Sequence, residues 1–212
     1  MRNRLVFLLT AVFLLCITAS ATDLSGSMTA DNGFMAFLSS DNATLGNQVA
    51  AGGNCSATYS FSGVTLTPGV VNYLQIEAVN WGGAGGFIGD FTLSDTSFHF
   101  ANGTQYLLTE PVEWSGIYND GNTSVTSQSW IAPTYAVYSE GYNGVGPWGL
   151  RGGIDSDAQW IWTSDSWVCG NCTIDLSVAI YPNAVSPEPG TMVMLGSGIL
   201  AITGALRRKL FL

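Results

Sequence analysis

The chain is poor in charge, and its middle is nearly devoid of positive charge. Charged residues make up 10% of the 212, with six Lys and Arg against fifteen Asp and Glu. Arg2, Arg4, Arg207, Arg208 and Lys209 sit at the two ends, which leaves Arg151 as the one basic residue between them. Fourteen of the acids lie within 22–185, so that stretch carries a net charge of −13. Such a field argues against nucleic acid and anionic lipid surfaces as partners, and is compatible with divalent cations and neutral glycans. Histidine is scarce as well. His99 is the only one, so any Ser-His-Asp or Cys-His machinery would have to use it. It lies in Ser97-Phe-His-Phe100, with no Gly-x-Ser-x-Gly turn elsewhere to supply a nucleophile. No amphipathic helical pattern precedes Thr191 and no internal repeat is evident.

What the chain does have is aromatics (12%), 26 glycines, and many Ser, Thr and Asn. That mixture suits a real core built from short strands and tight turns, and excludes a disordered chain. Apolar runs alternate with turn clusters such as Asp31-Asn-Gly, Pro68-Gly, Gly82-Gly-Ala-Gly-Gly86, Asn102-Gly, Asp120-Gly and Gly152-Gly. Strands are expected at Phe34–Leu38, Ser56–Leu66, Tyr73–Val79, Phe87–Leu93, Ser97–Phe100, Tyr106–Leu108, Tyr135–Tyr138, Trp160–Thr163 and Thr173–Ile180. The expected fold is therefore all-β, a sandwich or barrel spanning 22–185.

The two ends carry different signals. Arg2 and Arg4, the apolar run Leu5 to Ile17 and the small-x-small triplet Ala19-Ser20-Ala21 read as a signal peptide over 1–21, with the mature chain starting at Thr22. The apolar run of about 13 residues is shorter than the ~20 a membrane span requires. At the other end, Ser186-Pro-Glu-Pro-Gly-Thr191 is an extended spacer, because two prolines continue neither a strand nor a helix. Thr191 is placed to cap a helix over 192–206, which at 1.5 Å per residue reaches about 22 Å, a thin or tilted span. Arg207-Arg208-Lys209, within the basic end 207–212, would hold that end in the cytoplasm and leave the domain outside.

This three-part ending resembles the PEP-CTERM sorting signal of Gram-negative bacteria. Pro187-Glu188-Pro189 with Gly190-Thr191, the short apolar segment, and Arg207-Arg208-Lys209 carry the likeness. Ser186 stands where that motif often has an aliphatic residue. The resemblance implies recognition by an exosortase-type membrane enzyme and transient anchoring in the inner membrane. It also implies cleavage near the motif and delivery to the cell surface or the exopolysaccharide matrix. Three stretches of the middle also resemble galactose-binding-like jelly-roll sandwiches: Thr29-Ala-Asp-Asn-Gly-Phe34, Leu66-Thr-Pro-Gly with Asn72 to Asn80, and Ala158-Gln-Trp-Ile-Trp162. That likeness implies a jelly-roll-like sandwich and is compatible with sugar binding or with a purely structural role.

Candidate chemistry follows from the remaining residues. Of seven tryptophans, Trp160 and Trp162 alternate, and are expected to face one side and pack. Trp81 and Trp148 sit beside glycine and proline in loops, and are the expected exposed pair on which a sugar ring would stack. Glu110 and Glu113 flank Pro111-Val112 and are the only pair suited to a small glycoside hydrolase. Asp31, Asn32, Asp155 and Asp157 are weak calcium candidates in loops. Cys169-Gly-Asn-Cys172 suits a disulfide-clipped turn; any pairing leaves one of Cys55, Cys169 and Cys172 over, with Cys55 slightly preferred as the odd one. The reading reached is a non-enzymatic surface or matrix protein, with a carbohydrate-binding module and a small glycoside hydrolase as alternatives.

Overall fold

The computed structural model describes residues 21–119, 130–163, 171–183, 196–199 and 201. Thirteen strands are assigned among them: β1 (Asp23–Asp31), β2 (Gly33–Ser39), β3 (Asn47–Gly52), β4 (Tyr59–Thr65), β5 (Asn72–Asn80), β6 (Gly86–Leu93), β7 (Phe98–Phe100), β8 (Tyr106–Leu108), β9 (Ser115–Asn119), β10 (Tyr135–Ala136), β11 (Tyr138–Tyr142), β12 (Gln159–Trp162) and β13 (Cys172–Pro182). They form two antiparallel sheets. Sheet A runs β11-β12-β6-β1-β4, with β8 also pairing β6; sheet B runs β10-β9-β13-β5-β2-β3, with β7 also pairing β13. The expected all-β sandwich is therefore what forms.

The core follows strand alternation. Leu24, Met28 and Ala30 of β1 and Phe87 and Phe91 of β6 point inward from sheet A, and all are buried. They meet Phe34 and Ala36 of β2, Leu74, Ile76 and Ala78 of β5, and Ile174, Leu176, Val178 and Ile180 of β13. Phe87 and Phe91 both pack against Trp114, the first edge-on at 5.7 Å between ring centroids. Gly26 makes the approach of β6 to β1 possible, because any side chain there would strike the Phe91 ring. This explains why the low-hydrophobicity stretch Asp-Leu-Ser-Gly-Ser-Met-Thr-Ala-Asp is a central strand that the pattern of apolar residues did not announce.

Several expectations need correction. β1, β3 and β9 were not anticipated, and Tyr135–Tyr138 divides into β10 of sheet B and β11 of sheet A. Asp31-Asn32-Gly33, expected as a turn, is the corner by which the chain leaves β1 in sheet A for β2 in sheet B, with the Asn32 N–H donating to the Val79 carbonyl at 2.7 Å. β12 and β13 likewise lie in different sheets and do not pair. The signal peptide 1–21, apart from Ala21, lies outside the described residues, as do Pro187, Glu188, Pro189, Gly190, Thr191, Arg207, Arg208 and Lys209. Of the expected helix 192–206, residues 196–199 and 201 are described and are helical. Among the described residues no helix is long and apolar enough to cross a membrane.

Both sheets are covered on their outer faces too. Over sheet A, Ala84, Ile88, Trp148, Ile154, Ala158 and Trp160 form a second apolar cluster. Trp148 stacks on Trp160 with ring centroids 4.5 Å apart, and Gly86 lacks the side chain that would strike both rings. Over sheet B the covering is polar. Gln75 is fully buried; its amide donates to the carbonyls of Asp41 and Thr44 and its Oε1 accepts from Gly46, which fastens the 40–46 loop onto the sheet. The Trp130 indole donates to the Asn42 carbonyl at 2.7 Å, and the next residue, Ile131, donates its N–H to Asp175 at 2.9 Å.

Candidate functional site

The polar layer over sheet B holds an arrangement that sequence reasoning missed. Alternation puts Leu74, Ile76 and Ala78 of β5 and Ile174, Leu176 and Val178 of β13 into the core, so Gln75, Glu77, Asp175 and Ser177 occupy the opposite face. Asp175 and Glu77 are direct register partners on the two central strands, flanked by Ile117 of β9 and Met35 of β2. Both carboxyls are buried, Glu77 at 4% exposure and Asp175 at 0%. Asp175 Oδ2 accepts from the Asn119 amide at 2.8 Å and from Ile131 N–H. Asp175 Oδ1 and Glu77 Oε2 are buried with no hydrogen-bond partner, and so is Oδ1 of Asn42 in the covering loop. Burial, reinforced by the Glu77 charge, pushes the Asp175 carboxyl up to about 7 despite the two donors. Burial likewise raises Glu77. The only signal in the sequence was a charged residue inside each of two strongly apolar strands.

Trp81 is exposed at 49%, as expected. It is presented by a pinned loop: its N–H donates to Asn32 Oδ1 at 2.6 Å, and the Asn80 side chain bonds both Gly82 and Gly83. Trp148 overturns its expectation. It is 6% exposed, stacked on Trp160, and its indole N–H donates to Asp31 Oδ2 at 2.9 Å. A tryptophan beside glycine and proline looks like a loop residue, but the loop here lies flat on sheet A. Trp160 and Trp162 are both buried as expected, yet they enter different clusters, Trp160 the outer layer and Trp162 the core. Exposed aromatic side chains missed from sequence include Tyr135, Tyr138 and Tyr142, on the edge strands β10 and β11, as well as Tyr106, Tyr118 and Tyr181.

The calcium candidates are not gathered into one place. Asp31 bonds Trp148, and Asn32 bonds the Trp81 backbone. Asp155 accepts from the Tyr106 hydroxyl and from Asp157 N–H, and donates its own N–H to Asp90. Asp31 pairs with Gly86 and Asp90 with Ser27, so the two groups lie about 13 Å apart along β1. Among the described residues no three His, Cys, Asp or Glu side chains cluster as a metal site.

The catalytic candidates read as follows. His99 Nδ1 lies 2.6 Å from Asn183 Oδ1 and its ring stacks on Tyr181, which ties β7 to the end of β13. Burial, then the neighbouring Glu110, raises Glu113, whose Oε2 is buried without a hydrogen-bond partner. Cys55 is a free, half-buried thiol, raised by burial and then by Asp31. Cys172 is buried at the start of β13. Cys169 lies outside the described residues, and those residues contain no complete disulfide.

The β-sandwich class is thus established by topology, and the tail supplies the more particular finding. Residues 187–209 match the family model described as a PEP-CTERM protein-sorting motif. Such a motif implies exosortase-dependent sorting of a surface protein, through a membrane-anchored precursor in a Gram-negative cell. No curated protein and no solved structure matches the chain.

Proposed function

We propose that this chain is a non-enzymatic protein of the cell surface or exopolysaccharide matrix. In this reading residues 1–21 direct export, 22–185 form the delivered domain, and 192–206 anchor the precursor in the inner membrane until the exosortase cleaves near Pro187-Glu188-Pro189. The observation that carries the reading is the match of 187–209 to the sorting motif. The single histidine, engaged by Asn183 and Tyr181, favours a non-catalytic domain. The finer fold reading is a galactose-binding-like jelly roll, and Cys169–Cys172 is the disulfide it would carry. Fractionation of cells with and without the sorting enzyme tests the proposal. The full-length precursor should accumulate in the membrane when the enzyme is missing or when Pro187, Glu188 and Pro189 are replaced by alanine. Unchanged processing in both cases would sink it.

A second reading, a glycan-binding module for exopolysaccharide, is favoured by Trp81 on its pinned loop and by the exposed Tyr135, Tyr138 and Tyr142. Rigid exposed aromatic faces beside an acidic, lysine-poor surface suit neutral sugar rings. Retention of the protein on its own polysaccharide, abolished by Trp81→Ala, is the expected result.

A further inference from the structure

The structure assigns a second function to the polar layer over sheet B: Glu77 and Asp175 are the anionic ligands of a divalent cation, calcium by preference. The first ground is geometric. The two residues are register partners on adjacent antiparallel strands and project to the same face, so their Cβ atoms stand about 5 Å apart. Two carboxylate oxygens on either side of a calcium ion, each at 2.3–2.6 Å, span roughly the same distance.

The second ground is unmet valence. Glu77 Oε2 and Asp175 Oδ1 are buried acceptors with no donor, in side chains that are 4% and 0% exposed. A buried polar group without a partner costs about 1–3 kcal/mol, and more when it is charged. No side chain of this domain is available to neutralise the pair. Arg151 is the one basic residue within 22–185, and it sits on the sheet A side, where its N–H donates to Asn143. Only Asp175 Oδ2 is satisfied, by Asn119 and Ile131. Those two donors orient the carboxyl and leave its other oxygen free.

The third ground is ligand chemistry. Cys172 points to the core face, and His99 pairs with Tyr181 at the far end of β13. The acceptors in this layer are therefore all oxygen, which selects a hard cation over zinc. Two carboxylates do not fill a calcium shell of six to eight oxygens, so neutral oxygens and water complete it. Asn42 Oδ1 is likewise buried without a partner, in the loop that Gln75 and Trp130 fasten over the outer face of sheet B. With two charged ligands the affinity should fall near 10⁻⁴–10⁻³ M, the range of extracellular modules. The inference does not depend on the sorting tail.

The test uses the full chain purified with chelator and then titrated with calcium. At about 100-fold excess over the dissociation constant, the thermal midpoint should rise by about 5–10 °C. Glu77→Gln and Asp175→Asn should each remove that rise while leaving the chelated protein as stable as wild type or more so. Terbium gives a measurement that needs no variant: luminescence sensitised by Trp130 should appear on binding and be displaced by calcium. No thermal response of the wild type to about 100 mM calcium or magnesium, 100-fold above the weakest expected dissociation constant, would overturn the proposal. A response that persists in both variants would also overturn it. Stabilisation by acid alone would overturn it in favour of a bound proton.

Discussion

Each sheet of this sandwich has a second covering on its outer face, and the two coverings are built on opposite principles. Over sheet A, Trp148, Trp160, Ile88 and Ile154 make a small apolar core. Its one unsatisfied polar atom among those side chains is neutral, the Trp160 indole N–H. Over sheet B, Gln75, Glu77, Asp175 and Ser177 are buried, and the unsatisfied atoms are two carboxylate oxygens and the Asn42 amide oxygen. The first layer stabilises by excluding water from aromatic surface. The second spends stability on desolvated charge, which a fold does not retain for packing alone. A layer of the first kind is cement; a layer of the second kind is a receptor for something positive.

The largest expected effect lies in the apolar layer. Trp160→Ala removes the ring that Trp148 stacks on and leaves a cavity, and should cost about 3–5 kcal/mol. Urea unfolding would read this, and a loss below about 1 kcal/mol would show that the layer is not a core. Next is the acidic layer without metal. Because the folded Asp175 carboxyl is held at about 7, the native state keeps a proton that the unfolded chain releases near pH 4. Its stabilising contribution is complete below that pH and is lost as pH rises through about 7. In chelator, this group should lower stability by roughly 2–4 kcal/mol across that window. Asp95 and Asp155, held low by hydrogen bonds, act in the opposite sense, so the difference between wild type and Asp175→Asn isolates the effect. Matching pH profiles for the two proteins would remove the contrast between the layers.

Smaller effects sharpen the boundary. Trp148→Phe keeps an aromatic ring against Trp160 and deletes the bond to Asp31, and should cost about 1 kcal/mol in thermal unfolding. Trp81→Ala should change stability by no more than about 1 kcal/mol, since about half of the side chain already faces solvent. A larger loss in calorimetry would move Trp81 from the surface readings to the structural ones.

The strands legible in the sequence were those whose inward residues are large and regular. β5 reads as Tyr-Leu-Gln-Ile-Glu-Ala-Val, and it was placed within one residue at each end. β1 was illegible because its packing rests on an absence: Gly26 admits Phe91, and a glycine carries no apolar signal. β3 and β9 are short, with few apolar residues, so context decided them. The covering layers were illegible for a related reason. Whether a loop tryptophan such as Trp148 is exposed depends on what lies beneath it. Whether Glu77 faces water depends on what covers the outer face of sheet B, which strand alternation does not reveal. The sorting motif, by contrast, was legible, since its parts follow one another in linear order.

One contact noted above bears on how this molecule holds under tension. β13 is paired on both sides and runs to Pro182, where Asn183 is clamped by His99, Thr96 and Ser97. The sorting motif begins four residues later, at Pro187. Any force applied through the tail therefore reaches the domain first at the end of β13, a strand hydrogen-bonded to β5 on one side and to β7 and β9 on the other. The lone histidine, which does no chemistry in the proposed function, is the first fastening such a force would meet.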